Sequence, residues 1–132
     1  MEDNIFIGVA GNIGSGKTTL TEKLSRDLNI DAYYESVDKN AYLEDFYNNM
    51  KRWSFNLQVY FLSKRYKVHN RINENEKSAI QDRTIYEDAE IFAKNLFKSG
   101  KMTKRDWNNY KELYSILLEN IEHPDLIIYL NT

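Results

Sequence analysis

The sequence predicts an α/β fold: a parallel sheet of about four strands with helices on both faces, in one domain spanning residues 1–132. Three observations predict it. An apolar run, Ile5-Phe6-Ile7-Gly8-Val9-Ala10, suits a strand buried on both faces. A glycine-rich turn and then helical spacing follow it directly. Strand-like and helix-like stretches alternate from there to the end, in the order β-α-β-α-α-β-α-α-β, which implies right-handed crossovers.

The glycine-rich turn is Gly11-Asn12-Ile13-Gly14-Ser15-Gly16-Lys17-Thr18, a glycine, four free positions, then Gly-Lys-Thr. That is the P-loop pattern, in the strand–turn–helix context the motif requires. Its backbone N–H groups can cradle an anion, and the helix dipole adds favourable field. The expected fold is therefore that of a P-loop NTPase. Lys17 is expected to reach the β- and γ-phosphates of ATP or another nucleoside triphosphate, and the Thr18 hydroxyl to ligate Mg²⁺. Thr19 completes the expected ATP-binding set. Four of the five glycines lie between Gly8 and Gly16, so backbone freedom is concentrated at this turn.

Composition narrows the classes further. With 42% hydrophobic and 29% charged residues the chain resembles an ordinary soluble domain. A net charge of −2 shows no nucleic-acid footprint. The absence of cysteine removes disulfides and thiolate metal sites. No stretch is long and apolar enough for a transmembrane helix, and the first strand starts too early to leave room for a leader. A cytoplasmic enzyme is the expectation. Ten tyrosines suit a site that stacks on a flat ring, or simply a Tyr-rich core.

The elements follow in order. Leu20, Leu24 and Leu28 trace a helix from Lys17 to Leu28, broken at Asn29. Ile30 to Tyr34 reads as a second strand. Glu35 falls at its C-terminal end, the edge where ligand groups gather in open parallel sheets; it reads equally as a solvated loop glutamate. Ala41 to Met50 is a short helix and Lys51 to Ile72 a long one. On the latter, Gln58, Phe61, Leu62 and Arg65 share a face. A Gln there can read the edge of a base, or both polar residues can snorkel to the surface. Asn73 to Glu76 reads as a polar turn and Lys77 to Gln81 as a strand, with Asp82-Arg83 at its ligand edge. Thr84 to Glu87 resembles a capping box opening a helix from Tyr86 to Lys98, on which Asp88 and Phe92 lie one turn apart. Gly100 ends it. Thr103 caps the next helix, whose stripe of Trp107, Tyr110, Tyr114, Leu117 and Ile121 reads as core. His123-Pro124 stops that helix, and Leu126 to Leu130 reads as a final buried strand. His69 and His123 read as surface or turn residues.

The pieces Gly11 to Thr18, Glu35-Ser36-Val37, Tyr42 to Tyr47, Gln58 and Asp82 to Asp88 resemble, in order and spacing, the deoxynucleoside kinases. That family includes the deoxyadenosine, deoxyguanosine and deoxycytidine kinases. The resemblance runs the length of the chain. It implies transfer of the ATP γ-phosphate to a deoxynucleoside 5′-hydroxyl. By resemblance, Glu35 is the general base and Arg83 binds the 5′-hydroxyl region. Asp82 helps hold Mg²⁺ through water, and Tyr47 bonds the sugar 3′-hydroxyl. Gln58 reads the base edge and Phe92 stacks on the base, while Val37, Leu43 and Phe61 wall the pocket. Members that accept deoxyadenosine, deoxyguanosine or deoxycytidine are similar in carrying an Arg and an Asp where Arg65 and Asp88 stand. Members that favour thymidine tend to be apolar there. The resemblance also implies a homodimer through the helix matching Tyr86 to Lys98.

Two departures stand out. Ala41 and Ser36 stand where relatives usually have Pro. Relatives also continue past Leu130 with an arginine-rich lid, an acidic residue for the 3′-hydroxyl, an adenine-contacting loop and a fifth strand, so the fold is expected to be C-terminally incomplete. The rival readings are another small-molecule kinase, such as a nucleoside monophosphate kinase, or a nucleotide-binding fragment without turnover.

Overall fold

A computed structural model describes residues 4–11, 16–34 and 41–130. It contains a four-stranded parallel sheet in the order β2-β3-β1-β4, formed by β1 (Phe6–Gly11), β2 (Asp31–Tyr33), β3 (Ala79–Asp82) and β4 (Leu126–Leu130). The helices are α1 (Lys17–Leu28), α2 (Leu43–Asn48), α3 (Met50–Asn75), α4 (Ile85–Glu87), α5 (Lys94–Lys98) and α6 (Lys104–Leu118). A π-helical turn, Asp88–Ala93, joins α4 to α5.

These elements form two compact units. One holds the sheet, α1 and the C-terminal end of α3; the other holds α2, the rest of α3, and α4 through α6. In the sheet unit the alternation of β1 does the sorting. Ile7 and Val9, with Ile80, pack under Leu20 and Leu24 of α1. Phe6, with Ala79, packs on the other face under Val68 and Ile72 of α3. Each face of a central strand thus buries its own helix, as parallel sheets require. In the helical unit, Leu62, Ile85, Ala89, Ala93, Tyr110 and Ile121 form the core.

Local signals set several boundaries. Asn29 takes the left-handed conformation at φ 54°, and the next N–H, of Ile30, bonds back to Ser25 at 3.0 Å, closing α1. Gly100, at φ 77°, ends α5. The Thr103 hydroxyl accepts from the Asp106 N–H at 3.1 Å and caps α6, a bond worth about 1 kcal/mol.

Other expectations are corrected. Among the described residues the final strand is not buried: β4 pairs with β1 alone, and Leu126, Ile127 and Tyr129 are each about half exposed. His69 is not a surface residue. It is fully buried, its ring lies edge-on to Phe6 at 5.1 Å, and its Nε2–H donates to the Glu122 carbonyl. The expected turn at Asn73 is helix through Asn75. The Asn73 side chain instead spans to the backbone of Glu122, its Oδ1 accepting that residue's N–H at 3.0 Å. β2 is three residues long, shorter than expected, and β3 runs to Asp82.

Candidate active site

The chemistry of the sheet unit gathers where β1 and β3 end side by side. The register pairs Val9 with Asp82, and the Arg83 N–H donates to the Val9 carbonyl at 2.9 Å. Asp82 is therefore fixed beside the strand that leads into the P-loop. Gly16 adopts φ 91°, a conformation that favours glycine, and delivers the chain into α1 at Lys17. The first residues of α1 then face the carboxylate. The Thr18 hydroxyl donates to Asp82 Oδ2 at 2.9 Å, and Lys17 Nζ stands 3.9 Å from Asp82 Oδ1. Asp82 is buried, and its Oδ1 has no hydrogen-bond partner among the described residues.

This donor set fits Mg²⁺. A hydroxyl and a buried carboxylate with an unsaturated oxygen are hard ligands, and Mg²⁺ is typically bound by one or two such groups together with phosphates and water. Among the described residues, no cluster of three or more His, Cys, Asp or Glu could hold a metal by itself. Among the described residues, Thr18 and Asp82 would hold it, beside the lysine that would meet the phosphates.

Arg83 follows at φ 71°, a left-handed conformation unusual for a residue with a side chain. Such conformations cost about 1–3 kcal/mol and collect at functional sites. Thr84 is buried behind it. A methyl group added at Gly8 would lie 2.8 Å from Thr84 Cγ2, so only glycine lets β1 pass this close.

In the helical unit, α3 presents Ser54, Leu57, Gln58, Leu62 and Arg65 to the interior. Arg65 Nε lies 2.8 Å from Asp88 Oδ2, with side-chain exposures of 5% and 0%. The guanidinium carbon also sits 5.5 Å from the centre of the Phe61 ring. Two turns back from Arg65 on α3, Gln58 is buried and its Oε1 has no partner among the described residues. A buried ion pair beside an unsatisfied amide oxygen is costly in an apolar core. It is well suited to a planar ligand edge carrying both donors and acceptors.

The π turn positions Asp88. In an α-helix residues five apart point about 140° away from each other. A π turn closes i→i+5 and stacks them. Asp88 and Ala93, five apart, are both fully buried. Phe92, half-buried, lies in the same turn. Sequence periodicity at 3.6 residues does not reveal this turn.

The remaining expected residues divide cleanly. Leu43 and Tyr47 lie on α2 and are exposed, Tyr47 at 67%. Thr19 is exposed in the first turn of α1, and Gly11 ends β1. Asn12, Ile13, Gly14, Ser15, Glu35 and Val37 lie outside the described residues. Sequence reasoning missed Tyr110 as anything but core. Its hydroxyl is fully buried with no partner among the described residues, a feature no spacing rule detects.

Comparison with known proteins agrees with this fold. A deoxynucleoside kinase family model matches residues 7–132. The chain is 45% identical over 129 residues to a deoxyadenosine/deoxycytidine kinase of Bacillus subtilis (strain 168), covering 96% of this chain and 59% of that protein. It is 44% identical over 129 residues to a deoxyadenosine kinase of Dictyostelium discoideum, covering 98% of this chain and 52% of that one. The solved structure of deoxyadenosine kinase from M. mycoides with bound dATP superposes with a TM-score of 0.80 at 33% identity, over 96% of this chain and 64% of that one. The chain thus spans between half and three fifths of the length of these two curated relatives. On the match of the family model from β1 to the end of the sequence, the chain belongs to the deoxynucleoside kinase family.

Proposed function

We propose that the protein carrying this chain is an ATP-dependent deoxynucleoside 5′-kinase of nucleotide salvage, acting in the cytoplasm as one kinase domain. The observation that carries the reading is the Asp82 carboxylate, buried and shared by the Thr18 hydroxyl and Lys17 at the P-loop strand. Phosphoryl transfer asks a protein mainly for positioning and charge neutralisation, and these groups supply both.

In this reading the nucleoside 5′-oxygen attacks the γ-phosphorus, the bond to the β–γ bridging oxygen breaks, and ADP leaves. Glu35 accepts the 5′-hydroxyl proton. Lys17 balances charge on the β- and γ-phosphates, and Arg83 holds the 5′-hydroxyl region and Glu35. Thr18 and Asp82 would hold Mg²⁺, which would supply further charge neutralisation to the phosphates. Gln58, Arg65 and Asp88 read the base, with Phe61 and Phe92 against its ring and Val37 and Leu43 as pocket walls. Tyr47 bonds the 3′-hydroxyl.

The substrate class follows from the ion pair. Arg65 offers donors and Asp88 an acceptor. Adenine and cytosine each present an exocyclic amino group next to a ring nitrogen, which matches both. Thymine presents a carbonyl and a methyl group. The proposed class is deoxyadenosine, deoxyguanosine or deoxycytidine over thymidine, a purine slightly favoured, and relatives named for all three support it. We also propose a homodimer through the α4–α5 run, tested by light scattering. Monomer alone at high concentration would exclude it.

The decisive experiment measures phosphate transfer by the complete protein and its Glu35→Gln variant. The variant is expected to bind nucleoside within a few-fold of wild type. Its kcat should be lower by about two to four orders of magnitude, the scale of general-base catalysis. Near-normal turnover would remove Glu35 from the role. A wild type that phosphorylates nucleoside monophosphates in preference would replace the substrate class.

A further inference from the structure

Tyr110 carries an inference that rests on the base-reading role given to Arg65 and Asp88. It lies on α6, fully buried against Leu62, Ile85 and Ala89. Leu62 is one turn before Arg65 on α3, and Ala89 follows Asp88. Tyr110 thus shares one core cluster with the sequence neighbours of both partners of the ion pair. Its ring is held rigidly: Phe97, Trp107 and Tyr110 form a stack with centroid spacings of 5.5 and 6.0 Å and interplanar angles of 10° and 12°. Yet its hydroxyl has no hydrogen-bond partner among the described residues. An unpaired buried hydroxyl is costly, and a phenylalanine would fill the same space without that cost. Burial first, and then the field of the Asp88 carboxylate, push the phenol above its ordinary pKa. It stays protonated and can donate to an anion.

We propose that Tyr110 is a positioning residue for base recognition: in the nucleoside-bound protein its hydroxyl donates to the Asp88 carboxylate and holds the Arg65–Asp88 pair in the orientation that reads an amino-bearing base. The π turn supports this. It gives Asp88 a backbone setting apart from the regular helix, and a second donor beside Arg65 would fix which way its carboxylate faces. Tyr110 does not touch the base; it acts through Asp88.

The test is steady-state kinetics on the complete protein with deoxyadenosine and with thymidine. Four forms are compared: wild type, Tyr110→Phe, Arg65→Met/Asp88→Ala, and the triple variant. Tyr110→Phe is expected to raise the KM for deoxyadenosine about tenfold, the scale of one hydrogen bond to a charged group. The kcat and the KM for ATP should stay within about twofold. The KM for thymidine should not move, and Tyr110→Phe should be silent in the Arg65→Met/Asp88→Ala background. The ligand-free variant should melt no lower than wild type, because only an unpartnered hydroxyl is lost. A lower melting temperature with equal losses for both nucleosides would make Tyr110 a core residue and overturn the proposal. If Arg65→Met/Asp88→Ala changes nucleoside ranking while Tyr110→Phe does not, base reading stands and the role of Tyr110 falls. If the double variant leaves the ranking unchanged, both fall.

Discussion

Removing Asp88 alone, as Asp88→Ala, takes away the carboxylate 2.8 Å from the Arg65 guanidinium, which is buried at 5% exposure. Breaking one partner of a buried pair costs about 3–5 kcal/mol, because the other charge stays desolvated. Against a typical domain stability of about 5–15 kcal/mol this is a large fraction. With a urea m-value of about 2 kcal/mol/M, the unfolding midpoint should fall by about 2 M. Removing both partners, as Arg65→Met with Asp88→Ala, deletes the stranded charge. Such exchanges are often neutral or stabilising, so most of the loss should return. The assay is equilibrium urea unfolding followed by circular dichroism on wild type, both single variants and the double variant. The kinetic counterpart is the ratio of kcat/KM for deoxyadenosine to that for thymidine. It should fall by about a hundredfold in the double variant, since a site built to bond polar groups discriminates strongly. Additive single losses in the melts would refute the coupling. An unchanged nucleoside ratio in a stable double variant would refute the reading of the pair as a base sensor.

Three further outcomes are expected. Gly8→Ala should cost about 1–3 kcal/mol, the range for overpacking, because its methyl would meet Thr84 Cγ2 at 2.8 Å; Gly8→Ala/Thr84→Ser, which deletes that methyl, should restore much of the loss in thermal melts. Lys17→Ala should abolish ATP-dependent transfer with the fold intact, since Lys17 faces Asp82 and not the core; unchanged ATP affinity by calorimetry would contradict the P-loop reading. His69, its pKa lowered by burial, is neutral in the folded protein at neutral pH. The unfolded chain then binds the proton more readily. The contribution is full above the ordinary value of about 6.5 and is lost as pH falls from there toward the folded pKa. His69→Gln should flatten that part of the stability–pH curve, and an identical curve would exclude His69 as its source.

What was legible in the sequence was local. The P-loop context, the stop at Asn29, the cap at Thr103 and the glycine at position 100 each depend on a few neighbouring residues. Asp82 was placed on the ligand edge because a strand ends there. Burial was less legible, because it depends on partners far along the chain. Leu126 to Leu130 is as apolar as any core strand, yet among the described residues it pairs with β1 alone, which leaves three of its side chains half exposed. His69 is polar in composition, yet Phe6 and the Glu122 carbonyl enclose it. Asn73 to Asn75 carry turn-like residues, but a side-chain bond to Glu122 is compatible with helix and the ladder continues. Gln58 and Arg65 were recognised as odd on an aromatic face, but only the structure brings Asp88 to Arg65.

The π turn has a consequence for length variation within the family. A π turn spends five residues where an α turn spends four, so Asp88–Ala93 holds one residue more than an unbroken helix would need for the same hydrogen-bonded reach. Insertions and deletions ordinarily collect in surface loops. Here the helix interior is a place where one residue can be dropped without breaking the chain's path. Deleting one residue of the turn would restore a regular helix and leave the residues after it on the same face, because the wider turn had absorbed the extra residue. Aligned relatives should therefore be checked for a single-residue gap in mid-helix, where a gap is usually taken as an alignment error.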